Sequence, residues 1–356
     1  MMMAIIAGLV IALLGIPAGM AVFLYRRVFG VRTDTLTSFN TPRFSAFPSL
    51  VREEVHFPSA HGVPLTGYVY DDPSVLHKKA LVVLSHGLTG SMRTYYYDIQ
   101  TLCAHGYRVL AYDNTGCDRS GGTSMRGLPQ SAVDLRHALR FLQSRPDLCA
   151  LPLCLYGHSW GGYAVASVLN DDPPVCAVVS RSGFHRSVDM LMEKGQRYMG
   201  PFLALTFVPL YLYEWLYFGA QVAKTGGKGL ARTRARALVL YSDDDPTISV
   251  KNSLYGHRRQ YAGNPNVQIV LLHGKGHDVV RSDDAVAYRK RMGEALRELR
   301  KRNGRHVPKS KLDYLARQFD QALYWQQDDA VWHTILTFLD EAVAAYNAGD
   351  RVNGKT

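Results

Sequence analysis

Ala80–Ser85 reads ALVVLS, an apolar run too short for a stable helix and without the polar alternation of a half-exposed strand. That pattern belongs to a strand buried on both faces of a parallel sheet. Tyr107–Tyr112, Leu151–Tyr156, Val175–Val179, Ala235–Tyr241 and Val267–Leu272 repeat it. Helix-like stretches lie between them at Arg93–His105, Pro129–Gln143, Ser159–Asn170 and Lys251–Ala262. Strand and helix in alternation predict an α/β fold on a mostly parallel, doubly wound sheet. Glu54–Pro58 and Pro64–Tyr70 are predicted to add an antiparallel pair. A last amphipathic helix is predicted near Asp328–Asn347, where Trp332, Ile335, Leu336, Leu339 and Val343 recur at helical spacing.

The N-terminus carries a different signal. From Met2 to Tyr25 there is no charged side chain, and Arg26, Arg27 and Arg32 follow at once. A bilayer-spanning helix needs about 20 apolar residues, so residues 1–27 are predicted to be a single-pass transmembrane anchor. The positive-inside rule then places the rest of the chain in the cytoplasm. A cleaved signal peptide is the rival reading, but the basic segment that should precede its apolar core is missing. Residues 28–50, polar and punctuated by proline, read as a linker. The five cysteines form no CxxC pair and suit a reducing compartment, with neither a disulfide framework nor a zinc site implied. The formal net charge of +11 suits an anionic partner. Nucleic acid is not expected, because no recognition motif accompanies the charge.

The chemistry concentrates in three places. Gly157-His158-Ser159-Trp160-Gly161-Gly162 lies between a buried strand and a helix. A G-x-S-x-G there is a nucleophile elbow, whose strained turn lifts the serine hydroxyl clear of the sheet. Serine is a poor nucleophile near neutral pH and needs a base within hydrogen-bond reach. His277, in Gly274-Lys275-Gly276-His277 beyond the last strand, is the candidate base. An acid must orient the imidazole, and Asp243, Asp244 and Asp245 all follow the strand ALVLYS. Asp245 is preferred because Asp245-Pro246-Thr247-Ile248 places the acid directly before a turn and an apolar residue; Asp243 and Asp244 stay open. The oxyanion hole is expected from the backbone N–H groups of Leu88 and Trp160. His86 reads as a structural residue of the Leu88 loop. Neither a metal nor an organic cofactor is called for.

HGLTG at 86–90, YDNTGCDRSGG at 112–122, GHSWGG at 157–162, SDDDPTIS at 242–249 and GKGH at 274–277 occur in that order. With these motifs the sequence resembles the α/β-hydrolase superfamily, especially its membrane-anchored Bem46-like and serine-aminopeptidase-like (hydrolase-4 type) members. The resemblance covers residues 52–280 and the last helix. It departs at Asn114-Thr115, where such proteins often carry an Arg-Gly pair. It implies a core of residues 51–184 and 234–350, with residues 185–233 as a cap over the pocket.

The cap contains PFLALTFVPLYLYEWLYFGAQVA, with Glu214 the only charge in that run. A second membrane crossing there would separate Ser159 from Asp245 across the bilayer, so a buried or interfacial cap is expected. Residues 281–317, rich in Lys and Arg, read as a helical insertion that meets either anionic lipid or solvent. Anchor, apolar cap and basic rim together predict a serine hydrolase acting on carboxylic esters of lipid-like or medium-chain acyl groups. Three alternatives stand beside it. A peptidase or amidase would need cap carboxylates for a substrate amine, for which Glu193, Glu214 and Asp189 are the candidates. An acyltransferase would use the same acyl-enzyme, and a membrane-tethered binding protein would keep the fold without catalysis.

Overall fold

The computed structural model describes residues 2–35, 40–200, 205–304 and 307–349, with the side chains of residues 3–14 and 197–199 outside that set. Its centre is a sheet of eight strands: β1 (Val51–Pro58), β2 (Pro64–Asp71), β3 (Ala80–Ser85), β4 (Tyr107–Tyr112), β5 (Leu153–His158), β6 (Ala177–Arg181), β7 (Arg236–Ser242) and β8 (Val267–Leu272). They are ordered β1-β2-β4-β3-β5-β6-β7-β8. β1 and β2 pair antiparallel, as do β2 and β4. From β4 to β8 every pairing is parallel. The predicted sheet is therefore present, with its antiparallel pair on one edge.

Both faces of the central strands are buried, which is why their sequences lack alternation. Leu81 and Val83 of β3 join one apolar cluster, while Ala80, Val82 and Leu84 join the other. The helices follow in chain order: α1 (Met2–Phe29), α2 (Tyr96–Ala104), α3 (Gln130–Gln143), α4 (Pro146–Cys149), α5 (Trp160–Val168), α6 (Ser187–Met199), α7 (Phe207–Phe218), α8 (Gly226–Arg232), α9 (Asp283–Asn303), α10 (Lys309–Arg317), α11 (Gln321–Trp325) and α12 (Asp329–Asn347). Residues of α3, α5 and α8 fill one face, and those of α2 and α12 the other. The helix expected over Lys251–Ala262 is instead two 3-10 turns, Val250–Asn252 and Tyr255–Gln260. The Ser253 hydroxyl donates to Val250 O and accepts from Gly256 N, so side-chain bonds replace the helical ladder.

Among the described residues no helix is long and apolar enough to cross a membrane. Residues 3–14, which would carry most of the expected transmembrane segment, lie outside the described side chains. The C-terminal half of α1 is packed on the protein. Ala21, Tyr25 and Phe29, spaced one turn apart, are buried in the core. Tyr25 OH donates to Glu214 on α7, whose other carboxylate oxygen accepts from Ser187 on α6. Burial of Glu214 pushes its carboxyl up to about 7. Residues 28–35 of the expected linker are also bound to the body: Arg32 donates to the carbonyls of Gly122, Asp118 and Ser120, and Thr35 donates to Asp118. Further on, Phe47 and Leu50 are buried.

The basic segment forms α9 and α10, but not all of its charge faces solvent. Arg281 and Arg289 turn inward to Asp278, at 2.9 and 2.6 Å. Arg181, fully buried at the end of β6, bridges Asp278 at 2.7 Å and Asp98 of α2 at 2.5 Å. Arg281 also reaches Asp98 at 3.0 Å. Removing one partner of a buried ion pair leaves an uncompensated charge, a cost of about 3–5 kcal/mol. Asp98→Ala is expected to lower unfolding free energy in urea by that amount. An unchanged midpoint and slope would show that the network is held by other means.

Candidate active site

β5 runs directly into α5, and the turn between them is Ser159, at φ 56° and ψ −110°. A non-glycine residue in that region is strained by roughly 1–3 kcal/mol. Crowding on both sides holds it there. A Cβ on Gly157 would lie 2.2 Å from Gly161 O, and one on Gly161 would lie 1.8 Å from Ser85 O. Ser159 N donates to Arg181 O at 2.9 Å, fastening the turn to β6. The serine is half-buried at the N-terminus of α5, where the helix dipole favours developing negative charge.

The three aspartates after β7 are separated by their partners. Asp245 Oδ2 is 2.8 Å from His277 Nδ1, while its Oδ1 accepts from the N–H groups of Thr247 and Ile248. Its side chain is fully buried and that of His277 is 20% exposed. Asp243 pairs instead with His273 and Gly274 N, and Asp244 accepts from Ser242 and Gly276 N. His277 is brought to the elbow through His158, the neighbour of Ser159. His158 Nε2 is 3.1 Å from His277 O, and the two rings lie 4.9 Å apart. No hydrogen bond joins Ser159 Oγ to His277 in this conformation. Such bonds often tighten only with substrate in place.

Leu88 and Trp160 flank the elbow from two directions. Leu88 follows β3, which pairs with β5 up to Ser85↔Gly157, and Trp160 is the first residue of α5. Neither backbone N–H is taken by another group of the chain among the described residues. His86 anchors the Leu88 loop. It is fully buried, its Nε2 accepts from Asn114 N at 2.9 Å, and its Nδ1 contacts Gly87 O at 2.8 Å. That pattern fixes a neutral ring, and burial lowers its pKa to about 4. Asp113 is structural in the same sense, receiving Met92 N and Arg119 N.

Several contributors escaped the sequence reading. Tyr95 OH accepts from Gly87 N at 2.9 Å and meets His158 Nδ1 at 2.8 Å, linking the Leu88 loop to the elbow. Asp278, directly after His277, is the hub of the arginine network. Burial works against its charge, but Arg281, Arg181 and Arg289 pull its carboxyl well below the usual range. Burial, helped by Arg181, drives the His158 pKa down. Adjacency to Ser159 and His277 could have flagged His158 and Asp278. Nothing local marks Tyr95 or Arg181.

The comparisons agree with this geometry at the level of fold. A profile of the family described as serine aminopeptidase, S33, matches residues 77–215, less than half of the chain. No curated protein sequence matches. The esterase Pf2001 of Pyrococcus furiosus is similar in two crystal forms. One has a TM-score of 0.53 at 18% identity, over 76% of this chain and 97% of that one. The other has 0.52 at 19%, over 73% and 96%. An acylaminoacyl peptidase of Pyrococcus horikoshii gives 0.50 at 18%, over 66% of this chain and 39% of that one. The chain has the α/β-hydrolase fold.

A buried neutral histidine makes stability depend on pH with a definite sign. Unfolded His86 takes a proton below about 6.5 and folded His86 only below about 4. Its contribution is therefore complete above pH 6.5 and lost as pH falls towards 4. Relative to His86→Asn, the wild type should lose about 3 kcal/mol across that interval in urea titrations. Parallel curves for the two proteins would contradict a neutral buried ring.

Proposed function

We propose that this chain is a serine hydrolase that cleaves carboxylic esters through an acyl-enzyme on Ser159. One observation carries the reading: a strained serine elbow with the hydrogen-bonded Asp245–His277 pair brought beside it. In the proposed reaction His277 Nε2 takes the Ser159 proton as Oγ attacks the ester carbonyl. Asp245 holds Nδ1–H and stabilises the imidazolium. Leu88 N–H and Trp160 N–H receive the tetrahedral oxyanion. The imidazolium then protonates the departing alcohol, and water activated by His277 releases the acid. An acyltransferase differs only in the acceptor of this second step.

Ester is preferred over peptide because each cap carboxylate that could hold a substrate amine is engaged elsewhere. Glu193 accepts from Ser249 and Asn252, Glu214 from Tyr25 and Ser187, and Asp189 from Arg186. The apolar sequence of α7 supports a lipid-like or medium-chain acyl group. The uncharged run before Arg26 and Arg27 supports a membrane-anchored, Bem46-like arrangement with the catalytic part on the cytoplasmic side.

The test is hydrolysis of p-nitrophenyl esters of increasing chain length by wild type and Ser159→Ala. Losing the nucleophile should cut turnover by about 10⁴-fold or more, with the medium-chain esters the best wild-type substrates. Turnover surviving in Ser159→Ala would remove Ser159 from the chemistry. A preference for amides over every ester would replace the substrate class.

A further inference from the structure

We infer that the seam between α1 and α7 is an anionic-lipid docking site, with a headgroup cavity at its rim and two apolar stripes that enter the acyl region. The inference deepens the membrane part of the proposed function and rests on it. It does not depend on the chemistry of Ser159.

The seam is built, not incidental. Tyr25 packs its ring edge-on against Tyr213 at 5.2 Å and bonds Glu214, so the two helices are pinned where they cross. The 125–127 loop closes onto the same point: Arg126 N donates to Phe29 O at 3.1 Å, and a Cβ on Gly127 would lie 1.8 Å from Tyr25 Oη. Beside this contact each helix leaves one face uncovered. On α1, Ile16, Met20 and Phe23 recur at helical spacing opposite the buried Ala21 and Tyr25, and Phe23 is 62% exposed. On α7, Leu212, Trp215 and Leu216 do the same opposite the buried Leu210 and Glu214, and Leu216 is 74% exposed. Water is a poor solvent for such a surface, and a Trp among aliphatic side chains suits the bilayer interface.

Charge decides what kind of apolar partner fits. A cavity of about 510 Å³ opens at the seam, lined by Tyr213 and Tyr217 of α7, Arg26 of α1, and Thr123, Ser124 and Arg126 of the neighbouring loop. Arg26 and Arg126 make no ion pair among the described residues. Two uncompensated guanidinium groups with hydroxyls around them match a phosphate. A lipid phosphate, unlike a free one, would also place acyl chains against the exposed stripes. A protein partner would have to bring carboxylates for both arginines as well as an apolar face for the stripes, whereas one anionic lipid carries both.

Trp215 is the natural reporter, since Trp160, Trp325 and Trp332 are buried. The full chain is reconstituted into vesicles of phosphatidylcholine with brominated acyl chains, with or without phosphatidylglycerol. Quenching is read as the difference between wild type and Trp215→Phe. Trp215 should be quenched in the anionic vesicles, and the double variant Arg26→Ala/Arg126→Ala, or omission of phosphatidylglycerol, should remove roughly half or more of that quenching. Circular dichroism checks that each variant folds. Hydrolysis of a water-soluble acetate ester should be equal in wild type and the arginine variant, so failure here is separable from failure of the hydrolase reading. An unquenched Trp215 in both vesicles would overturn the inference, as would quenching indifferent to lipid charge and to both arginines. Loss of quenching on adding millimolar inorganic phosphate would mean a free-anion site, and would overturn lipid docking.

Discussion

The approach on which the serine turn depends is that of Gly161 to the carbonyl of Ser85. α5 can start immediately after β5 only because no side chain intervenes there, a methyl group at Gly161 falling 1.8 Å from that oxygen. The turn this forces leaves Ser159 at φ 56°, directly beyond the carboxyl end of β5. The same contact sets β3 beside β5, so that the loop carrying Leu88 and the first turn carrying Trp160 flank the serine together. Ser159 and the two candidate oxyanion donors thus share one packing constraint.

His277, the candidate base, is held by charge as well as by packing. It is followed by Asp278 and then by the buried Val279 and Val280, so both charge and apolar packing steady its loop. Asp278 gathers Arg181, Arg281 and Arg289 from β6, the start of the basic segment and α9. Asp98 of α2 takes two of the same arginines from the other side. Isolated buried charges are costly, and this cluster is tolerable because each group has a charged partner, with Asp98 also accepting from Tyr156 and Arg281 also donating to Trp325 O. Rotation of the imidazole is then restricted by Asp245, and translation of its backbone by His158. Asp245, His277 and Ser159 come from the chain segments after β7, β8 and β5.

Much of this was legible in the residues. ALVVLS and its counterparts announced a parallel sheet because burial on both faces erases alternation, and the Ala80–Ser85, Tyr107–Tyr112 and Val267–Leu272 strands have the expected bounds. GHSWGG could be read as an elbow because the glycines are required by sterics that any such turn shares. Choosing among Asp243, Asp244 and Asp245 rested on Pro246 and the residues after it, and it is Asp245 that lies at His277. Long-range partners were not legible. Arg281 and Arg289 look like members of a solvated basic run, and only the tertiary fold brings Asp278 and Asp98 to them. Arg32 read as a charge flanking a membrane span, yet it binds three carbonyls 86 to 90 residues away. The expected helix at 251–262 failed because Ser253 offered the backbone a local alternative that propensity does not see.

The central claim is that Ser159 is activated by His277. A fluorophosphonate probe tests it most directly, since phosphonylation requires an activated serine and an oxyanion site but no knowledge of the natural substrate. The folded chain should gain one adduct, mapped by peptide mass spectrometry to Ser159, and His277→Ala should lose it while remaining folded. An adduct on another serine, or labelling that survives in His277→Ala at the wild-type rate, would contradict the account.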